Sequence, residues 1–266
     1  MTLGIIGCGK MGGALLGGIL KSGTVVEDEV FVHDAYAPAV EEMVKTFKVN
    51  AAGSNANVID SAETILLCVK PQTFPGMMEE IADAVGDRLL ISIAAGITID
   101  TIEAGTGGRH RIIRVMPNTP ALVGRGASAY ALGSSATAKD GALAEHLLAS
   151  VGYVARVEES QIDAVTAVSG SGPAYFFQMV ESLIAGGIEQ GLDPLIAREL
   201  AVHTAAGAAE LLMRTGESPT TLRENVTSPN GTTFAALESF REANFDQIVR
   251  NAVKAAHDRS VELGAS

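Results

Sequence analysis

The chain has two textures. In the first, short runs of consecutive apolar residues alternate with longer stretches of helical period. LGIIG (Leu3–Gly7) leads into a helix-forming stretch to Lys21, EVFVHD (Glu29–Asp34) into APAVEEMVKTF, TILLCVK (Thr64–Lys70) into MMEEIADAV, and LLISIAAG (Leu89–Gly96) into TIDTIEAG; RIIRVMPN (Arg111–Asn118) follows. Continuous apolar strands are those covered on both faces, and helices between them supply the crossovers, so the pattern predicts an α/β unit built on a doubly wound, mostly parallel sheet. After about Gln161 the strand-like runs stop. AYFFQMVESLIAGGIEQGL, LIARELAVHTAAGAAELLMRTG and FDQIVRNAVKAAHDRSVELG all place apolar residues at helical spacing. Two domains are expected, 1–160 and an all-α domain over 161–266. The stretch Ala174–Ile188 is apolar almost all round and needs cover on every side. A segment of about 100 residues cannot bury it alone, which predicts dimerisation through the second domain.

Composition narrows the class. The chain has 266 residues, 47% of them hydrophobic and 19% charged, enough for a substantial core. A net charge of −12 repels phosphate backbones and argues against a nucleic-acid partner. Cys8 and Cys68 read as small buried hydrophobes rather than a disulfide framework, which fits a reducing, cytoplasmic setting. The five His show no metal-ligand spacing, so no metal is expected. The apolar start MTLGIIGCGKMGGALLGGIL lacks a basic region before it and a cleavage site after it, so it is not read as a signal peptide. No run reaches the length of a membrane span, and a soluble chain is expected.

That same start carries chemistry. Gly7-Cys8-Gly9-Lys10-Met11-Gly12 is a GxGxxG that follows a predicted strand and opens a predicted helix, and Asp34 ends the next strand twenty-two positions after Gly12. This is the context of a dinucleotide-binding turn of the Rossmann type. Gly7 permits the tight turn, Gly9 admits a pyrophosphate close to the backbone, and Gly12 allows the helix to pack on the strand. Free amides at the helix start hold the phosphates. Asp34 can accept the adenosine ribose hydroxyls of NAD and would repel the 2′-phosphate of NADP; its plain alternative is a strand-end turn residue. No Arg or Lys follows it in HDAYAPAVEE, so charge favours NADH, with Lys10 as a counterweight.

Ligands of such sheets sit at the carboxyl ends of the strands. There lie Val69-Lys70-Pro71-Gln72, Ala94-Ala95-Gly96 and Met116-Pro117-Asn118-Thr119-Pro120, small residues and prolines suited to a flat nicotinamide ring. Lys70 is the one charge among them, read either as functional or as a solvated loop lysine. A hydroxy-acid dehydrogenase needs a supported general base. None is apparent here, which favours a substrate whose reducible bond is already activated, such as an iminium.

Taken together, GCGKMGGALLGG, VKPQ, SIAAGIT, RVMPNTPALVGRG, VSGSGPAYFF and NVTSPNGTTFAALESF resemble the pyrroline-5-carboxylate reductase family over essentially the whole chain. The resemblance implies a helical domain that interlocks two subunits into a homodimer or a pentamer of dimers. It also implies hydride transfer from NAD(P)H to C5 of Δ1-pyrroline-5-carboxylate, giving L-proline. The substrate carboxylate would be held by backbone N–H groups in the loop Ser228–Thr233, notably at Gly231 and Thr232, with the Thr233 hydroxyl at the ring nitrogen as the catalytic group. Asn55 would contact the adenine side of the cofactor, and Val69, Lys70, Pro71, Ala95, Pro117 and Asn118 would line it. Gly170 and Gly172 would give room beside the nicotinamide, with Pro173 in a first helical turn.

Lys10 stands where the family often has Asn, and Asn230 where it often has Gly, although Asn tolerates positive φ better than most residues. Two other readings stay open. One is another imine or β-hydroxyacid reductase on the same scaffold, though Ala174–Gln190 has no Lys. The other is a non-catalytic, dinucleotide-sensing regulator, which would have no use for a carboxylate loop.

Overall fold

The computed structural model describes residues 1–84 and 86–264. Val85, the last residue of the expected helix MMEEIADAV, and Ala265 and Ser266, the end of the expected second domain, lie outside the described residues. In chain order the elements are β1 (Leu3–Ile6), α1 (Lys10–Ser22), β2 (Val30–His33), α2 (Ala37–Phe47), β3 (Asn50–Ala51), α3 (Asn55–Ser61), β4 (Thr64–Leu67), α4 (Phe74–Ile81), β5 (Leu89–Ser92) and α5 (Ile99–Gly105). They continue with β6 (Arg111–Met116), β7 (Gly126–Leu132), α6 (Ala138–Ala149), β8 (Gly152–Arg156), α7 (Ile162–Val165), α8 (Gly172–Glu189), α9 (Pro194–Thr215), α10 (Pro219–Asn225), α11 (Thr232–Glu242) and α12 (Phe245–Gly264).

The strands form one sheet in the order β3-β2-β1-β4-β5-β6-β7-β8. Every pairing is parallel except β6 with β7. From β1 the chain winds outward to β2 and β3, then returns to β4 on the other side. The topological switch therefore falls between β1 and β4, at the carboxyl end of β1, where the glycine turn begins. Alternate strand residues feed two cores. Leu3, Ile5, Leu66, Leu89, Ile91 and Ile113 face the core that takes Leu15, Leu16, Met43 and Leu147 from α1, α2 and α6. Ile6, Ile65, Leu67, Leu90 and Ile112 face the core with Val58, Phe74, Met77 and Ile102 from α3, α4 and α5. Burial on both faces is why these strands read as unbroken apolar runs.

The edges are where pattern reading fell short. It did not find β3, β7 or β8. Strand β7 is GASAYAL, rich in Ala and Ser, and it turns antiparallel after a 3₁₀ segment (Thr119–Val123) closed by Gly124 at φ 68°. Nothing in its composition marks it as a strand; its pairing to β6 does.

The chain forms two compact units. One is Met1–Ser171 with the chain from Ala255 onward; the other is Gly172–Lys254. The change of texture at Gln161 thus precedes the start of the second unit, and α12 ends in the first. Within the second unit α8 and α9 pack on each other, yet Gly172 is the one buried residue in α8 and Ala197 and Ala201 the buried ones in α9. Phe176 is 72% exposed and Leu195 74%, with Phe177, Ile196 and Met213 also open. No described helix is long and apolar enough to cross a membrane.

Candidate active site

The three glycines of the first turn have separable reasons to be there. Gly7 has φ 105°, and a Cβ on it would sit 2.6 Å from the Cys68 carbonyl carbon. A Cβ on Gly12 would meet the Gly7 carbonyl oxygen at 2.3 Å, so α1 can approach the turn only with glycine there. Gly9 differs. Its φ of −76° suits any residue, and an added Cβ would meet no protein atom within 4 Å. The protein's own packing does not require glycine at this position; a phosphate drawn close to the backbone does. Helix α1 starts without a side-chain cap, which leaves its first amides for an anion. The turn fits a dinucleotide pyrophosphate. Lys10 is exposed and Met11 half-buried beside it.

Asp34 is engaged by the protein itself. Its Oδ2 accepts the Cys8 N–H at 2.7 Å and its Oδ1 the Tyr36 N–H at 2.8 Å, so the carboxylate ties the glycine turn to the end of β2. Each oxygen keeps a further lone pair, so these two bonds leave acceptor capacity on the carboxylate. The Gly7 N–H donates to the His33 carbonyl at 2.8 Å, and His33 Nδ1 lies 3.1 Å from the Ala52 carbonyl oxygen. The ends of β1, β2 and β3 are thereby drawn to one edge, next to buried Asn55. Asn55 donates through Nδ2 to Glu80 Oε2 at 2.7 Å, and its buried Oδ1 has no hydrogen-bond partner among the described residues.

Other predicted residues are placed as follows. Val69 is half-buried, Lys70 exposed, and Pro71 opens a 3₁₀ turn to Thr73. Ala95 is exposed before Gly96, at φ 75°. Pro117 is buried. Asn118 has its side chain committed to the protein, accepting the Ala127 N–H at 2.8 Å and donating to the Ser169 carbonyl at 3.2 Å. Cys8 and Cys68 are free, and burial pushes each thiol up to about 12, which keeps both protonated and unreactive.

The breakers in VSGSGPAYFF make a π-helical turn over Thr166–Gly170, closed by the Ser171 N–H to the Thr166 carbonyl at 2.8 Å. Ser169 Oγ donates to the Ala127 carbonyl at 2.6 Å. A Cβ on Gly170 would lie 2.4 Å from the Met116 methyl, which could be met by a shift of that flexible side chain; Gly172 is unconstrained by protein atoms. Pro173 falls in the first turn of α8, where its missing N–H leaves no bond unmade.

In the second unit, SPNG forms a tight turn, with the Gly231 N–H donating to the Ser228 carbonyl at 3.0 Å and Asn230 at φ 57°. Pro followed by a positive-φ residue is the arrangement of a type II turn. Helix α11 then begins at Thr232 with no side-chain cap. The Gly231 amide is engaged within the turn, so the uncapped donors that follow it belong to Thr232 and Thr233. Two cavities, of about 650 and 520 Å³, lie elsewhere and include none of the predicted site residues. Among the described residues no cluster of His, Cys, Asp or Glu could hold a metal ion.

Pattern reading missed Glu80, Ser169 and the link from Asp34 to Cys8. Their partners lie 25, 42 and 26 positions away, and no local pattern carries a contact of that span.

A switch-point glycine turn on a mostly parallel sheet, followed by a helical unit, defines a nicotinamide-dinucleotide oxidoreductase with a helical dimerisation domain. Residues 159–263 match the family described as "Pyrroline-5-carboxylate reductase dimerisation", and residues 2–96 match "NADP oxidoreductase coenzyme F420-dependent". The pyrroline-5-carboxylate reductase of Methanosarcina acetivorans is 38% identical over 98% of this chain and 97% of its own, and that of Synechocystis 39% over 99% and 98%. A pyrroline-5-carboxylate reductase structure from Coxiella burnetii superposes with a TM-score of 0.93 at 32% identity, covering 98% of each chain. The Plasmodium falciparum pyrroline carboxylate reductase, solved with NADP bound, gives 0.88 at 31%, covering 99% of this chain and 98% of its own. The chain belongs to the pyrroline-5-carboxylate reductase family.

Proposed function

We propose that this protein reduces Δ1-pyrroline-5-carboxylate to L-proline at the expense of a reduced nicotinamide dinucleotide, the last step of proline biosynthesis. The observation that carries the reading is the pairing of two uncapped helix starts in one chain: α1 behind a glycine turn and α11 behind SPNG. The first suits a pyrophosphate and the second a carboxylate, which a dinucleotide sensor would not need.

The reduced nicotinamide supplies a hydride to C5, and a proton comes to the ring nitrogen. The chain's part is binding and orientation. Gly7, Gly9 and Gly12 admit the pyrophosphate, joined by Lys10 and Met11, and Asp34 and Asn55 take the adenosine end. Val69, Lys70, Pro71, Ala95 and Pro117 flank the nicotinamide; Asn118 holds the backbone there. Thr232 and Thr233 amides, with Ser228 and Gly231 shaping the turn, hold the substrate carboxylate. The Thr233 hydroxyl bonds the ring nitrogen. NADH is the favoured cofactor, because Asp34 adds a carboxylate where NADP carries its 2′-phosphate. The apolar faces of α8 and α9 support a homodimer, and a pentamer of dimers is the larger form the family suggests. Two free cysteines fit the cytoplasm.

Nicotinamide absorbance with pyrroline-5-carboxylate, NADH and NADPH run side by side tests this. Substrate-dependent oxidation supports the reductase, and the ratio of the two kcat/KM values reads Asp34. Cofactor binding without oxidation would sink it in favour of a sensor. In Thr233→Ala, kcat should fall tenfold or more with dinucleotide Kd kept; unchanged kinetics would remove Thr233 from the mechanism.

A further inference from the structure

We propose that Glu80 is a positioning residue for the dinucleotide: it fixes the Asn55 amide so that an acceptor, not a donor, faces the adenosine half of the cofactor. The proposal rests on the reading of Asn55 as a cofactor contact. An asparagine side chain can be turned either way, offering its oxygen or its nitrogen to a ligand. Here Glu80 removes the choice. A carboxylate only accepts hydrogen bonds, so the atom 2.7 Å from Glu80 Oε2 is Nδ2. Oδ1 must then point the other way.

Oδ1 is buried and has no hydrogen-bond partner among the described residues. Native proteins rarely leave such an atom unmatched, and where they do a missing ligand is one explanation. The position supports that explanation. Asn55 begins α3 directly after the segment whose Ala52 carbonyl meets His33 and whose amide donates to the Val32 carbonyl. This is the edge at which His33 also receives the Gly7 N–H. A nucleotide on the glycine turn would reach this edge with its adenosine end. The complementary ligand group is a donor, a ribose hydroxyl. An ionised phosphate oxygen has nothing to donate. Glu80 is itself exposed, so nothing in core packing demands a carboxylate at this point of α4.

The test is a double-mutant cycle on the full-length protein, with NADH and NADPH dissociation constants read by nicotinamide fluorescence. Asn55→Ala should weaken NADH about tenfold. Glu80→Ala should weaken it several-fold, with the KM for the imine and the Tm little changed. The double variant should be no weaker than Asn55→Ala alone, because Glu80 acts through Asn55. Glu80→Gln, which can still accept from Nδ2, should restore most of the affinity. Additive losses, or a Glu80→Ala that binds like the parent while Asn55→Ala does not, would overturn the positioning role and leave the Asn55 contact standing. No loss in Asn55→Ala would overturn both. Turnover in the parent judges the reductase reading separately.

Discussion

The two anion-seeking turns of this protein solve one problem with different amounts of support. The turn after β1 is braced from several sides. Gly7 lies against Cys68, Gly12 against the Gly7 carbonyl, and Asp34 binds the Cys8 amide from the neighbouring strand end. The turn before α11 is held by one backbone bond and one positive-φ asparagine, in a unit whose large apolar side chains stand open. The sheet unit can set its site from its own core. The helical unit leaves Phe176 and Leu195 exposed, the apolar face on which the proposed homodimer would close. The difference shows that a cradle of backbone N–H groups needs little side-chain chemistry but much scaffolding.

The sharpest break in the comparison comes from the glycines. Gly12→Ala drives a Cβ into backbone and should cost about 2–3 kcal/mol of stability along with cofactor binding. Gly9→Ala should leave the unfolding midpoint within about 0.5 kcal/mol of the parent, yet weaken dinucleotide binding at least tenfold. Denaturant melts beside fluorescence titration check both, and equal destabilisation by the two would remove the distinction drawn between them. Next in size, Leu195→Glu should shift the mass in light scattering from a dimer or larger assembly toward the monomer. An unchanged mass would place the interface elsewhere. Asp34→Ser should weaken NADH by about tenfold, since it releases the Cys8 amide and a ribose acceptor, and weaken NADPH less, since it also removes a charge facing the 2′-phosphate, so the gap between them narrows. A gain for NADPH with NADH unchanged would mean the tie to Cys8 has no part in binding.

The smallest effect concerns the sheet unit's stability against pH. His110 is buried, its Nδ1 accepts the Arg88 N–H at 3.2 Å, and burial, aided by Arg109, lowers its pKa from 6.5. The folded state therefore holds it neutral while the unfolded chain takes up a proton, so its contribution is present above pH 6.5 and is lost as pH falls toward the folded value. Melting temperature should decline on acidification below that point, and less steeply in His110→Gln.

Much of this was legible along the chain, for identifiable reasons. Helix α2 matches its apolar pattern from end to end, because Val40, Met43, Val44 and Phe47 recur at helical spacing and bring one face to the core every turn. The glycine turn was legible because it is local: strand, turn and helix follow one another within a few residues. Strand β7 was not, because an Ala-Ser strand gains its identity from the neighbour it pairs with. The side-chain bonds by which Asn118 ties the Ala127 and Ser169 backbone together were likewise not legible, because they join distant positions.

The sequence by itself determined the parallel core, the dinucleotide turn, the helical second domain and the family, since each rests on periodicity or on residues adjacent in the chain. Only the tertiary structure decided that Asp34 braces the glycine turn, that Thr166–Gly170 winds as a π-turn beside Met116, and that Glu80 takes the Asn55 amide nitrogen. Those contacts join residues distant in sequence, and their strength depends on direction and burial, which a linear pattern does not carry.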